Sequence, residues 1–343
     1  MLTRHGKQPR SADAGRARPT GRAAWPLLVL LLLSLVSAAT PQEKKARTTQ
    51  PAKPETPPAP AEQDDVVTLR ADLVVVSVTV TDAAGNYARG LKAKDFALFE
   101  DDATQTINSF TAEEAPFAAA ILIDMSGSME YKFGQVRGAA AAFIDHIRDD
   151  DQVAVYGFNN KVRQVQDFSN LRDIADAIWD AKAEDRTRLY DCMDEAVTAL
   201  AARPEKRRAI LLISDGWDNT SAKATYDSAM KRALAAGVVV YTVDLIDDDT
   251  LMGGGDAALM LRRGRNELKE FAAQTGGRYV HTPQGNDLES AFANIVDELR
   301  NQYTLTFYPT NKKRDGRWRR LTVTARGNAL SVRARRGYYA PKS

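Results

Sequence analysis

Three uninterrupted apolar runs, each ending in an aspartate, constrain the fold of this 343-residue chain more than any other feature. The runs are FAAAILID (Phe117–Asp124), AILLISD (residues 209–215) and GVVVYTVD (residues 237–244). Strands with one face in solvent alternate apolar and polar residues, whereas strands covered on both faces by helices are continuously apolar. Helical periodicity lies around and between the runs, at residues 132–148, 171–181, 189–202 and 224–236. The sequence therefore predicts an α/β fold with a Rossmann-like open sheet.

Shorter strand patterns flank this α/β region on both sides. Before it, valines recur at every second position from Val74 to Val80, and the segments FALFED and TQTINSF follow. After it come YTLTFYP, RWRRLTVTA and ALSVRARRGYY. Neither flank is large enough to bury a stable core alone. We therefore expect the two flanks to pack together into one small β-sandwich, with the α/β domain inserted between them.

The first 65 residues predict export. Residues 1–39 combine a basic start with the apolar stretch WPLLVLLLLSLVSAAT, the pattern of a secretory signal peptide. That stretch is shorter than the roughly 20 residues of a membrane-spanning helix, and an uncleaved N-terminal anchor is the alternative. Residues 40–65 are rich in Pro, Ala and charge and predict a disordered linker. We expect a periplasmic, cell-surface or secreted protein that meets a membrane only through an uncleaved N-terminal segment.

The remaining chain divides into three predicted parts, which are an N-terminal β segment at 66–114, the α/β domain at 115–302 and a C-terminal β segment at 303–343. Beyond residue 22, the 41 basic and 44 acidic residues nearly balance, which gives no argument for binding nucleic acid.

Cys192 is the only cysteine, so no intrachain disulfide can form. We expect it to be buried in a helix.

Oxygen-bearing side chains cluster where the apolar runs end. In an open α/β sheet, ligands bind beyond the carboxyl ends of the strands, which is where Asp124, Asp215 and Asp244 lie. Several carboxylates in one crevice repel one another unless a cation is present. Ser126 and Ser128 add hydroxyl groups directly after the first run. Carboxylate and hydroxyl oxygens are hard ligands, so this set predicts Mg²⁺ or Mn²⁺ rather than Zn²⁺.

The motif Asp-Met-Ser-Gly-Ser at residues 124–128, followed by Thr187 and by Asp215 in ISDG, resembles the metal-ion-dependent adhesion site of von Willebrand factor type A domains. The arrangement of strands, helices and loops is similar over roughly residues 116–302. The wider chain resembles a bacterial, acidobacterial-type group of such proteins in which short β segments flank the A domain. The segments DFALFEDDATQTINSF and RARRGYYAP carry that further resemblance.

The resemblance implies a role for each residue of the motif. Ser126 and Ser128 would bind the metal directly, and Thr187 would bind it directly or through water. Asp124 and Asp215 would act mainly through coordinated water. One coordination position would stay open for an Asp or Glu carboxylate of a protein partner. The resemblance also implies that the last helix of the domain shifts if the site switches between states.

One departure concerns the surroundings of the threonine, which stands between Arg186 and Arg188 instead of among small residues. The two guanidinium groups could weaken metal binding, steer an acidic ligand by charge-assisted hydrogen bonds, or point to solvent and pair with Glu184 and Asp185. Together with Asp244, these arginines are the candidate ligand-steering residues.

Two other classes of function compete with a non-catalytic adhesion protein. A phosphoesterase with a nucleophilic Asp124 would normally need an acid two residues later, where Ser126 stands. A serine hydrolase would need a base from His5, His146 or His281, and the last of these is expected to be structural. The glycines in MGGGDAALMLRRGRNE, from Met252, lack the Lys-Ser/Thr of a phosphate loop and predict a long surface loop. A metal-free envelope scaffold is the third possibility.

Overall fold

A computed structural model describes residues 73–112, 114–170, 186–282, 287–327 and 329–342, all within the compact unit formed by residues 67–343. The predicted signal peptide, the linker and the helix at 171–181 lie outside these ranges. None of the helices within the described ranges is long and apolar enough to cross a bilayer.

The described residues form fourteen strands and six α-helices. The strands are β1 (Val74–Thr81), β2 (Phe96–Glu100), β3 (Ala103–Gln105), β4 (Ser109–Thr111), β5 (Phe117–Asp124), β6 (Gln152–Phe158), β7 (Val162–Ser169), β8 (Arg207–Ile213), β9 (Val238–Asp244), β10 (Tyr279–His281), β11 (Tyr303–Phe307), β12 (Trp318–Ala325), β13 (Ser331–Ala334) and β14 (Gly337–Tyr339). The helices are α1 (Phe133–Asp145), α2 (Leu189–Ala201), α3 (Tyr226–Ala236), α4 (Asp248–Met252), α5 (Asp256–Thr275) and α6 (Leu288–Asn301).

The central sheet has the strand order β10-β9-β8-β5-β6-β7, and only β7 runs antiparallel to its neighbour. Its continuous apolar runs follow from burial on both faces. In β5, Ile121 and Ile123 point into a core shared with α1 and α6, while Ala120 and Leu122 point into a core shared with α2, α3 and α5. The α/β prediction is therefore confirmed, with a mixed, mostly parallel sheet.

The flanking segments form two four-stranded sheets with the orders β13-β1-β11-β4 and β14-β12-β2-β3. Each sheet combines strands from both ends of the chain, because β1 pairs with β11 and β2 pairs with β12. Val76, Val78 and Leu98 from the N-terminal side share one buried core with Leu305 and Phe307 from the C-terminal side. This arrangement confirms the prediction that the two flanks build one β-sandwich around the inserted domain.

One local prediction is wrong, and one strand pattern divides in two. The ALSVRARRGYY pattern forms β13 and β14, and between these strands the buried Arg335 donates a hydrogen bond to the carbonyl of Leu234 at 2.8 Å. The glycine-containing segment from Met252 is helix α5 after its first few residues, not a long surface loop. Its Leu, Met, Arg and Glu residues favour helix, and Leu268 and Phe271 further along α5 are buried against the sheet.

Arg207 ties the inserted domain to its flanks. Its side chain, at the start of β8, is only 1% exposed. The guanidinium group donates to the carbonyl of Ala112 at 2.6 Å, on the entering chain, and to that of Gln302 at 2.5 Å, on the leaving chain. It also donates to the carbonyls of Ala115, at 3.2 Å, and Leu299, at 3.3 Å. One cation therefore satisfies backbone acceptors from both crossings between sandwich and domain.

We predict that Arg207→Met lowers the free energy of unfolding by about 3 kcal/mol or more, because several buried carbonyls would lose their charged donor. Urea denaturation of the full chain measures the change. The matched control is Arg320→Met, which removes an exposed ion pair with Asp102 and should cost less than about 1 kcal/mol. Equal, small losses in both variants would contradict the role of Arg207.

Candidate metal centre

The candidate centre begins where β5 ends. Asp124 is the last residue of β5 and is fully buried, and its Oδ1 accepts the backbone N–H of Ser126 at 3.0 Å. A 3₁₀ helix, Gly127–Lys132, follows directly and brings the two serine hydroxyls together, with 3.0 Å between the Oγ atoms of Ser126 and Ser128. Ser126 is buried while Ser128 is exposed, so this cluster reaches solvent at Ser128.

The residues directly after the neighbouring strand β8 supply the next oxygen atoms of the cluster. Ser128 Oγ donates to Asp215 Oδ2 at 2.7 Å, and Ser214 Oγ donates to Asp124 Oδ2 at 2.6 Å. The backbone N–H of Trp217 holds the other oxygen of Asp215 at 2.9 Å. These crossed hydrogen bonds bring four of the five predicted metal-site residues into one cluster at the carboxyl edge of the sheet.

Thr187, the fifth predicted residue, is held by its backbone. Its N–H donates to Asn219 Oδ1 at 2.9 Å, and its carbonyl accepts the N–H groups of Asn219, at 3.2 Å, and Thr220, at 3.1 Å. The next residue, Arg188, donates its N–H to the carbonyl of Asn159 at 3.0 Å. The threonine is therefore buried against the loop that follows Asp215, the same loop that carries one of the two acidic groups of the centre.

Asp191 organises this loop and was missed by the sequence reasoning. Its carboxylate accepts the backbone N–H groups of Ala222 at 3.0 Å, Lys223 at 2.8 Å and Ala224 at 2.9 Å. Burial alone would raise the pKa of Asp191, but these donors and Arg188 hold that pKa below its ordinary value. The sequence marked Asp191 only as an acidic residue in the first turn of a predicted helix. Such residues are also common in helices that bind nothing, so this feature did not single it out.

The two arginines beside the threonine have different surroundings. Arg188 forms an ion pair with Asp191 at 3.3 Å, within the first turn of α2. Arg186 is exposed at the start of this described stretch. Glu184 and Asp185, the partners expected for a solvent-facing pair, lie outside the described residues.

Asp244 ends β9 at the same edge of the sheet but has its own cation. Its Oδ2 accepts hydrogen bonds from Arg265 Nε and from the Tyr279 hydroxyl, each at 2.6 Å. Its Oδ1 accepts the backbone N–H of Ile246 at 2.8 Å. Asp244 is fully buried and forms an ion pair with Arg265, a cation supplied by the chain itself, which distinguishes it from Asp124 and Asp215.

Asp124 and Asp215 carry the unusual electrostatics of the centre. Burial raises the pKa of both carboxyl groups above the ordinary value, and the charge of Asp215 raises that of Asp124 further. Two buried carboxylates this close are unfavourable when both are ionised, and a divalent cation between the loops would offset the repulsion. The donor set of carboxylate and hydroxyl oxygens fits Mg²⁺ or Mn²⁺ chemically. No group of three His, Cys, Asp or Glu side chains suited to a metal occurs in the described ranges, so any metal here depends on the hydroxyl groups.

Helix α5 packs on the acidic loop through two glycines. A Cβ atom at Gly264 would lie 2.7 Å from the carbonyl carbon of Gly216 and 2.9 Å from the carbonyl oxygen of Asp215. Gly216 itself has φ of +77°, a conformation that other residues rarely adopt. The position of the Asp215 loop is therefore set by direct contact between helix and loop backbones.

Fold and centre together define a class, an α/β domain with a mixed, mostly parallel sheet, flanking β segments and an oxygen-rich cluster at the carboxyl edge. The sequence profile for the von Willebrand factor type A domain matches residues 120–294, which is half of the sequence. The chain belongs to the von Willebrand factor type A family. No curated protein sequence matches it.

Several solved structures resemble the fold at low identity. Proximal thread matrix protein 1 from the mussel byssus, in a form described as having a zinc-occupied MIDAS motif, is 16% identical over 57% of this chain and 48% of that protein, with a TM-score of 0.44. A von Willebrand factor type A protein from Catenulispora acidiphila is 12% identical over 80% of this chain and 75% of that one, with a TM-score of 0.45. An aerotolerance-related membrane protein from Bacteroides fragilis is 16% identical over 54% of this chain and 98% of that one, with a TM-score of 0.40. This chain spans about half the length of the mussel proteins.

We predict that Asp124→Asn raises the melting temperature of the metal-free protein at pH 8. The neutral amide removes one of two repelling charges and keeps the shape of the side chain. Because the pKa of Asp124 is raised in the folded protein, the wild type loses stability as the pH rises from the ordinary pKa of aspartate to the raised pKa. The stability gained by Asp124→Asn should therefore shrink at pH 4 to 5. Thermal denaturation in EDTA at the two pH values measures both effects, and a gain independent of pH would contradict the assignment.

We predict that Gly264→Ala destabilises the chain and moves the Asp215 loop, because the added methyl group overlaps the backbone of Gly216. The loss should be about 1–3 kcal/mol. Gly254→Ala is the matched control, since nothing lies within 4 Å of a Cβ atom at Gly254. Urea denaturation compares the two variants, and a Gly264→Ala variant as stable as the control would show that the helix can move without cost.

Proposed function

We propose that this chain is an exported, non-catalytic binding protein that captures an acidic group of a protein partner through Mg²⁺ or Mn²⁺ held at the candidate centre. The observation that carries the proposal is the hydrogen-bonded series from Ser126 through Ser128 to Asp215, which joins the ends of two adjacent buried strands. Membership of the von Willebrand factor type A family supports a binding role.

Each residue of the centre has a proposed task. The hydroxyl groups of Ser126, Ser128 and Thr187 would hold the metal, and the carboxylates of Asp124 and Asp215 would balance its charge from close by. When bound, the metal would act as an electrophile for an incoming oxygen. Hydroxyl ligands carry no charge, so they neutralise the cation less than carboxylate ligands would. This donor set favours an Asp or Glu side chain of the partner as the remaining ligand.

Access to the centre supports capture of an outside group. Ser128 is exposed although Ser126 and Asp124 are buried, so an oxygen from outside can reach the cluster at Ser128. Arg186 is exposed beside Thr187 and is the proposed steering residue for an acidic partner. Arg188 contributes less to steering in this proposal because it is paired with Asp191.

The histidine contacts argue against a serine hydrolase. His281 Nε2 lies 2.9 Å from the carbonyl of Ile246 and 3.0 Å from Arg265, and His146 Nδ1 lies 2.6 Å from the carbonyl of Ala142. Neither histidine hydrogen-bonds to a serine of the centre in the described structure. Ser214 donates to Asp124, but that hydroxyl is buried and its acceptor is the residue that would balance the metal.

Titration with Mn²⁺ tests the proposed metal site. Ser126→Ala and Thr187→Ala should each weaken Mn²⁺ binding at least about tenfold, because each removes a proposed ligand oxygen. Ser331→Ala and Thr322→Ala are matched controls on exposed positions of the sandwich and should leave binding unchanged. Isothermal titration calorimetry on the full chain measures the affinities. If the wild-type protein binds no Mn²⁺, the proposal is wrong and the metal-free envelope scaffold becomes the better-supported function.

Capture of a partner needs a separate experiment. Pull-down from native envelope fractions with Mg²⁺, and again with EDTA, should recover partners only when the metal is present. Asp124→Ala should behave like the EDTA sample. A protein that hydrolyses members of a phosphoester panel would instead be a metal-dependent enzyme.

A further inference from the structure

A basic loop with an aromatic residue at each end connects the two sheets of the sandwich. The basic loop, residues 308–317, leaves β11 after Phe307 and enters β12 at Trp318. Tyr308 is 41% exposed and Trp318 is 36% exposed. The loop contains a single acid, Asp315, against four basic residues, all of them exposed. The basic residues are Lys312, Lys313, Arg314 and Arg317.

Three acids at this end of the sandwich pair with arginines of β12. Arg319 Nη2 lies 3.1 Å from Asp315 Oδ1, and its Nη1 lies 4.0 Å from Asp101 Oδ2. Asp102 forms an ion pair with Arg320. The negative charge of these acids is therefore directed at Arg319 and Arg320, and not at the lysines of the basic loop.

The two lysines are exposed on a backbone that is held at several points. The N–H of Thr310 donates to Gln105 Oε1 at 3.0 Å, and Gln105 Nε2 donates to Thr310 Oγ1 at 3.0 Å. The carbonyl of Lys313 accepts a hydrogen bond from Arg319 at 3.3 Å. Within the part of the chain that the structure describes, neither Lys312 nor Lys313 forms an ion pair. Because the loop is already held, little backbone entropy is lost when these charges meet a partner.

Exposed apolar side chains and the entry of the chain lie at the same end of the sandwich. Val74 of β1 is paired with Phe307 of β11, so Leu73, which is 43% exposed, stands beside the start of the basic loop. At the other end of the loop, the ring of Trp318 contacts that of Tyr339, with 5.0 Å between their centroids. The 72 residues before Leu73 include the predicted signal peptide or anchor and the linker. An uncleaved anchor would therefore join the sandwich at the end that carries the basic loop.

We propose that the basic loop, with Leu73, Tyr308 and Trp318, is a docking surface for a bilayer that contains anionic phospholipid. Lysine and arginine side chains are attracted to negative headgroups, and tryptophan and tyrosine favour the boundary between headgroups and acyl chains. Apolar side chains beside the charge fit a bilayer better than an acidic polymer, because a bilayer offers an apolar layer. The proposal is independent of the candidate metal centre. It departs from our expectation that an N-terminal segment is the only contact with a membrane.

Co-sedimentation of the full chain with vesicles tests the proposal. The vesicles contain phosphatidylcholine alone or phosphatidylcholine with about 30% of the anionic lipid phosphatidylglycerol. Lys312→Gln combined with Lys313→Gln is the loop variant, and Lys94→Gln combined with Lys161→Gln removes two exposed lysines elsewhere as the matched control. We expect the loop variant to bind the anionic vesicles at least about tenfold more weakly than wild type, and the control to stay within about twofold. The N-terminal segment is the same in every variant and cannot produce this difference.

Fluorescence quenching by brominated lipid gives a second readout that is specific to the loop. The difference between the emission of wild type and that of Trp318→Phe isolates Trp318 from the other tryptophans. On anionic vesicles, brominated lipid should quench this difference signal, because Trp318 would lie at the boundary of the acyl chains. Tyr308→Ser should weaken vesicle binding at least about threefold, since it removes an interfacial side chain and no charge.

Four results would overturn the proposal. The loop variant could bind anionic vesicles as tightly as the control does, or Trp318 could stay unquenched on vesicle-bound protein. Wild type could bind soluble heparin but no vesicles at the same salt concentration, which would identify an acidic polymer as the partner. EDTA should leave vesicle binding unchanged, and loss of binding in EDTA would assign the attachment to the metal centre. A chain that binds no Mn²⁺ but still binds anionic vesicles through the basic loop would overturn the proposed function and support this inference.

Discussion

The repulsion between two buried carboxylates, Asp124 and Asp215, is the constraint on which the site depends. It arises from the fold, because helices cover both faces of the sheet and leave the strand ends as the place where polar groups gather. Crossed hydrogen bonds from Ser128 and Ser214 soften the repulsion without removing it, since hydroxyl groups carry no net charge. Burial raises the pKa of both acids because it removes the water that would stabilise their ionised forms. A centre that is unfavourable when empty and charged has a physical reason to bind a cation.

The β-sandwich supports the site from the opposite end of the same strands. Strand β8 begins with Arg207, whose guanidinium group holds the chain crossings between sandwich and domain, and it ends just before Ser214 and Asp215. At about 3.3 Å per residue, its seven residues separate the two ends by roughly 23 Å. The contacts of Arg207 with the sandwich crossings therefore lie at the end of β8 that is remote from the candidate centre.

Most of the fold was predictable because burial on two faces leaves a direct mark in the sequence, as in β5. The Asp124, Ser126, Ser128 and Asp215 cluster was predictable because strand ends in a parallel sheet share an edge. Helix α5 was not, since Gly253 to Gly255 and a run of charges hide its apolar positions. Arg265 on Asp244 and Lys132 on Leu245 were also out of reach, because each joins residues that only the folded chain brings together.

The different treatment of the acidic residues at this edge separates a structural role from a binding role. Asp244 accepts hydrogen bonds from Arg265 and from Tyr279, each at 2.6 Å, so its charge is paired with a cation of the chain. Asp124 and Asp215 accept hydrogen bonds from serine hydroxyl groups and from backbone N–H groups, none of which carries a charge. If they served stability alone, a fixed arginine would suit them as it suits Asp244. Their incomplete compensation gives the proposed metal site its driving force.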